Sequence, residues 1–141
     1  MKFCSLSSCS YANSIIVQDK NTCVLVDCGL RKRDLKPFLD KAGLSPGDID
    51  AVLITHRHID HVYGLKYFLK ERDVPVYSSA LILKQLLESI SFRGHPRFCA
   101  LRPDAEQNIG TLTVNPFRLS HDVETIGFTF SGDGDKMGFI T

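Results

Sequence analysis

Apolar residues open the chain in short bursts, at Lys2–Ser5, Ser14–Val17 and Thr22–Val26, separated by clusters of Ser, Asn and Asp. Bursts of that length between turn-forming residues read as a meander of strands, and Asp27-Cys28-Gly29 breaks the third. The period then changes. From Arg31 to Ala42 the apolar residues Leu35, Phe38, Leu39 and Ala42 recur at steps of three and four, which predicts an amphipathic helix ended by Gly43. A buried strand follows over Ile49–Thr55, then a helix carrying Val62, Leu65, Tyr67, Phe68 and Leu69. Val74–Ser78 reads as a strand and Leu81–Ile90 as a helix; Thr111–Phe117, Ile126–Ser131 and Lys136–Ile140 read as strands, the last two forming a hairpin. The polar, proline-containing stretch from Ser91 to Asn108 offers only a short strand at Phe98–Leu101, and its Arg93, His95, Arg97 and Arg102 are candidates to face a ligand.

Strands followed by helices in this order imply an α/β layered domain with a mixed sheet rather than an all-antiparallel one. No repeat, low-complexity tract or linker divides the chain, so residues 1–141 read as one domain.

Composition adds exclusions more than assignments. Hydrophobic residues make up 43% of 141 residues, enough for a real core, and 17 Lys and Arg against 16 Asp and Glu leave a net charge of only +1. Charge alone therefore selects no substrate. No apolar run approaches the roughly 20 residues that cross a bilayer, and Met1–Leu6 lacks the apolar core of an export signal, so a cytoplasmic protein without a membrane partner is expected. Five cysteines, an odd number, fit reduced thiols better than a disulfide framework. Cys4/Cys9 and Cys23/Cys28 are each separated by four residues, the wide end of the spacing of about two to four usual for zinc pairs, and they read as buried small hydrophobes rather than as a structural zinc site.

The chemistry concentrates in Thr55-His56-Arg57-His58-Ile59-Asp60-His61, directly after a strand and at the start of a helix. If the backbone stays extended past the strand, His56 and His58 project from one face and one cation can take both. Asp60 and His61 fall at the turn into the helix, where they can hold a second cation beside the first. A solvated histidine loop is the plain alternative for a lone histidine, but not for this cluster. His95 lies outside any motif and reads as a surface residue or substrate contact.

His56-x-His58-x-Asp60-His61 resembles the metal motif of the metallo-β-lactamase superfamily, and Val24-Leu25-Val26-Asp27-Cys28-Gly29 is similar to that family's first motif. The resemblance runs over essentially the whole chain and implies an αββα layered fold whose C-terminal part is missing here. It also implies that a later histidine, His121 in Ser120-His121-Asp122, joins His56 and His58 at the first metal, and that Asp27 orients the metal loop by hydrogen bonding rather than binding metal. The serine-rich segment Ser5–Ser14 is similar to the opening of one branch, the WalJ-type exonuclease-like proteins, which usually carry glycine where Cys9 and Ala12 stand.

The ligand set so implied is His56, His58, Asp60, His61 and His121, with Asp60 and His61 also assigned to catalysis. Two divalent cations are expected in the complete fold, zinc foremost with manganese or iron as alternatives, and about one in this chain, because the family's bridging Asp and last histidine would follow Thr141. Three neutral imidazoles with an open fourth position lower the pKa of zinc-bound water to about 7. The leading functional expectation is a metal-dependent phosphodiesterase or nuclease that attacks DNA through metal-bound hydroxide. The alternatives are a thioester or lactone hydrolase and a catalytically impaired, truncated metal-binding module. Arg31, Lys32, Arg33 and Lys36 are candidates to touch a phosphate backbone, although a charge run on a helix is usually a solvated face. Nucleic acid and a second copy of the chain, docked on an uncovered apolar sheet face, are the expected partners.

Overall fold

The first three bursts form an antiparallel meander of β1 (Lys2–Cys9), β2 (Ala12–Asp19) and β3 (Thr22–Val26) in the computed structural model, which describes residues 1–103 and 105–141. Beyond β3 the sheet turns parallel. It adds β4 (Ala51–Leu53), β5 (Val76–Ser79) and β6 (Phe98–Leu101), giving the six-stranded order β1-β2-β3-β4-β5-β6. The crossovers carry α1 (Lys32–Lys41), the pair α2 (Ile59–Val62) and α3 (Leu65–Glu71), and α4 (Ala80–Ser89). Every residue of β3 and β4 is buried, because a parallel strand covered on both faces has no solvent side to reserve for polar residues.

A second, antiparallel sheet has the order β10-β9-β8-β7, with β7 (Gln107–Ile109), β8 (Leu112–Leu119), β9 (Thr125–Gly132) and β10 (Asp135–Phe139). Its Leu112, Val114, Phe128 and Phe130 are fully buried and share one core with Ile16, Leu25 and Val52 of the first sheet. Truncating either phenylalanine to alanine would cost about 3–5 kcal/mol at such a site. Polar bonds stitch the sheets together at their rims: Thr111 Oγ1 donates to the Asp19 carbonyl at 2.7 Å, and the Ile126 amide donates to the Thr55 carbonyl at 2.9 Å. Among the described residues no helix is long and apolar enough to cross a membrane.

The mixed α/β layering expected from the pattern is the one found, with local corrections. The serine-rich segment is mostly strand, since β1 runs on to Cys9; Cys9 and Ala12 face each other across the turn, and neither has positive φ. β4 is shorter than the apolar run Ile49–Thr55, because Ile54 and Thr55 leave the ladder to enter the histidine loop. The expected single helix around Val62–Leu69 breaks at Gly64 into α2 and α3. β7 is an addition, its Gln and Asn giving no strand signal by composition. The β9–β10 hairpin turns through Asp133 and Gly134, both at positive φ, as a two-residue turn requires.

The uncovered apolar sheet face is a second correction. Directly paired residues share a face, so Thr113 with Ser131 and Asn115 with Thr129 lie opposite the core. That outer surface is mostly polar, its apolar members on β8 being Phe117, which covers Gly127, and Leu119 at the strand end. Cysteines also divide: Cys23 and Cys28 are buried as expected, but Cys4 is exposed and Cys9 and Cys99 are half-buried, and all five are free.

Candidate metal centre

Two strand ends and one helix start build the site. After β4 the chain leaves the sheet through Thr55 and His56, both buried, and His58 caps the N-terminus of α2, in whose single turn Asp60 and His61 sit. His121 comes from the other sheet, in the loop between β8 and β9. One potential ligand atom from each of His56, His58 and His121 lies within 4.8 Å of the others, and the ring centroids are 4.7, 5.1 and 5.2 Å apart. Three imidazoles facing one point are a donor set suited to a divalent transition metal.

The second group stands beside the first. The His61 ring is 4.0 Å from that of His56, and His61 Nε2 is 3.3 Å from Asp60 Oδ2. His95 does not join either group; it shares a cleft with Arg93, Arg97, Lys66 and Lys70, whose lining contains none of the clustered histidines.

Asp27 organises both groups from beneath. It follows β3 at φ 57°, a left-handed conformation that turns its side chain under the loop, and it is 1% exposed. Its Oδ1 accepts from the Thr55 amide at 2.9 Å, and the Thr55 hydroxyl reaches both carboxylate oxygens at 3.0 and 2.9 Å. His61 Nδ1 meets Oδ2 at 2.7 Å, and Thr55 Oγ1 also meets His56 Nδ1 at 2.9 Å. Donor counting then assigns the tautomers, because an ionised carboxylate only accepts. His61 donates from Nδ1, the Thr55 hydroxyl donates to Asp27, and His56 Nδ1 donates to Thr55 Oγ1. Both histidines are left with an Nε2 lone pair for a cation, which is the fit a metal centre requires.

Burial shapes the charges. It pushes His56 down to about 4, helped by His61, His58 and His121, so its imidazole is neutral and able to ligate at neutral pH. Burial also lowers His61, but Asp27 outweighs it and the net direction is upward. Burial raises Asp27, opposed by its bonds from His61 and Thr55.

Sequence reasoning missed three members of this assembly. Thr55 is the relay just described. Asn13 Nδ2 donates to Asp60 Oδ2 at 2.8 Å and lies 3.1 Å from His61 Nε2, while its Oδ1 accepts from the Cys9 amide. Asp122 contacts His121 Nδ1 and lies 3.3 Å from His58 Nε2; desolvation opposes these two histidines, which nonetheless hold its carboxyl below the ordinary range. Its place directly after His121 was the available signal. Gly29 completes the packing, since a Cβ there would lie 1.7 Å from the Asp60 carbonyl oxygen.

Residues 8–133 match the family model of the metallo-beta-lactamase superfamily. The chain belongs to that superfamily. Among relatives within it, exodeoxyribonuclease YycJ of Bacillus anthracis is 27% identical over 142 residues, covering all of this chain and 54% of the relative. Exodeoxyribonuclease WalJ of Streptococcus pneumoniae serotype 2 is 27% identical over 124 residues, covering 86% of this chain and 46% of the relative. This chain therefore spans about half the length of the curated relatives it matches. The superfamily fold recurs in the crystal structure of YhfI from Bacillus subtilis, with a TM-score of 0.72 at 20% identity over 90% of this chain and 53% of that one. YycJ and WalJ are exodeoxyribonucleases by name.

Proposed function

We propose that this chain supplies the metal centre of a nuclease that hydrolyses phosphodiester bonds in DNA. The observation that carries the reading is the convergence of His56, His58 and His121 beside Asp60 and the Asp27-tied His61, in a chain whose relatives include exodeoxyribonucleases. His56, His58 and His121 hold the first cation, and Asp60 and His61 contribute toward a second. Zinc suits the imidazole-rich set, and manganese or iron are the alternatives. A divalent cation in such a site supplies Lewis acidity toward a phosphoryl oxygen and a water acidic enough to attack at neutral pH.

The chain's own residues do the remaining work. Asp27 and Thr55 hold the two Nε2 lone pairs in position, and Asp60 adds negative charge at the site's open edge. Hydrolysis joins the oxygen of water to phosphorus while the ester oxygen departs with a proton; the half-exposed His58 and exposed His121 leave that face of the site accessible to a phosphate. Elemental analysis paired with nucleotide release from DNA tests the reading. About one zinc per chain and metal-dependent release, lost in His58→Ala, are expected. Cleavage of an acyl thioester with none of DNA would refute the nuclease assignment.

A further inference from the structure

Next to Asp60 the surface opens into a cleft of about 750 Å³, bordered by Tyr11, Arg31, Arg33, Phe38 and Tyr63 as well as Asp60 itself. A second cleft, of about 710 Å³, shares Arg31, Arg33 and Tyr63 with the first and extends to Lys36 and Tyr67 between α1 and α3. Together they form one track that starts at a proposed metal ligand. Its walls are unusual for a solvated surface: Tyr11 is 79% and Ile59 66% exposed, and Phe38, Tyr63 and Tyr67 are exposed too. Phe38 lies on the helix face expected to be buried, yet only Leu35 and Leu39 of α1 are buried. Large apolar side chains grouped in this way mark a binding surface.

Charge along the track is mixed. Lys32 pairs with Glu71, Arg33 with Asp34 and Lys36 with Asp40. Arg31 has no such carboxylate partner among the described residues and instead lies over the Tyr63 ring, 5.9 Å from its centroid; Lys66 lies 5.0 Å from that of Tyr67. A cation over one face of Tyr63 and of Tyr67, with the two ring centroids 6.3 Å apart, suits a ligand that alternates flat π-surfaces with negative charges. A duplex hides its base faces and offers only phosphate, so it would leave the tyrosines without partners.

We infer that the Tyr11–Tyr63–Tyr67 track binds single-stranded nucleic acid, stacking bases on the tyrosines and presenting the phosphate next in line to Asp60. This rests on the nuclease reading for its purpose, but binding is measurable without turnover. Because most cations on the track are already paired, stacking outweighs phosphate contact. With about two phosphates neutralised, log K should fall against log salt with a slope of only about −1.4.

The test is fluorescence anisotropy of a labelled oligothymidylate of roughly 10 nucleotides, with the chain in excess chelator. Binding is expected, several-fold tighter than to a duplex of equal length. Tyr63→Ala and Tyr67→Ala should each weaken it by about tenfold, whereas Tyr63→Phe, which keeps the ring, and Lys84→Ala on α4 should stay within twofold of the parent. Zinc content should be the same in all four variants. Absence of binding, equal binding of duplex, or tyrosine-to-alanine variants that bind like the parent would overturn the inference. Failure of DNA hydrolysis with binding intact would instead remove only the catalytic reading.

Discussion

Replacing Asp27 by Asn changes one atom's chemistry at the point where both ligand groups are anchored. Its orientation is dictated by the Thr55 amide, a donor that cannot be reversed, so the new carbonyl oxygen must stay at Oδ1, 2.9 Å from that nitrogen. The Thr55 hydroxyl keeps its bond to the same oxygen at 3.0 Å, and His56 keeps its proton on Nδ1. At the Oδ2 position an NH2 group now faces His61 Nδ1 over the former 2.7 Å contact, donor against donor. His61 relieves this by moving its proton to Nε2, where Asp60 Oδ2 at 3.3 Å can accept it, while Asn13 Nδ2, in contact at 3.1 Å, must turn aside. The exchange removes a charge-assisted bond of about 1.5–3 kcal/mol, remakes a neutral one of about 1, and lifts the desolvation that burial imposes on the carboxylate. Net stability should therefore fall by only about 1 kcal/mol. The damage lands on metal binding, because Nε2 must lose its proton and break the new bond before it can ligate; affinity at the Asp60–His61 pair should drop about 10–100-fold. Long-range proton–nitrogen NMR at a pH where the rings are neutral reads the tautomers directly, and urea unfolding reads the stability. A His61 that retains Nδ1–H in the variant, or a His56 that changes with it, would refute the reasoning.

Two further outcomes are expected. His58→Ala should reduce zinc affinity at the three-histidine site by at least tenfold while urea unfolding shifts by less than about 1 kcal/mol, since this half-exposed loop side chain contributes little to the core; parent-like zinc binding would remove His58 from the site. Burial pushes the Cys23 and Cys28 thiols up to about 12, so at a pH of about 8 a thiol reagent should titrate Cys4, Cys9 and Cys99 in the native chain and all five cysteines only in denaturant. Fast reaction of all five under native conditions would contradict the packing around β3.

What was legible in the sequence was local. His56, His58, Asp60 and His61 are neighbours at a strand-to-helix junction, so period and spacing alone bring them near one another, and Asp27-Cys28-Gly29 marks a strand end by its own turn chemistry. His121 was reachable only through family resemblance, because no periodicity says that the loop after β8 returns to the end of β4; that meeting is decided by two sheets packing their cores together. Asn13 was invisible for the same reason, its contact with Asp60 spanning 47 positions between side chains that carry no pattern. Phe38 went astray because helical spacing identifies an apolar face but not whether a neighbour covers all of it. The expected apolar outer sheet face failed on alternation: β8 reads Leu-Thr-Val-Asn along its first half, and its polar members already supply a solvent side.

The three histidines do not belong to one sheet. Two hang from the six-stranded sheet and the third from the four-stranded one, near the place where the Ile126 amide reaches across to Thr55. A cation held by all three is thus a tether between the two layers, and its binding energy adds to the free energy of folding: about 4 kcal/mol when the free ion stands a thousandfold above its dissociation constant. Against the 5–15 kcal/mol that holds a typical domain together, that is a substantial share. Metal supply would then bear on the chain's stability as well as its chemistry, and under metal starvation the exposed loop between β8 and β9 that carries His121, rather than the buried strands flanking it, would be the first part to loosen and become open to proteolysis.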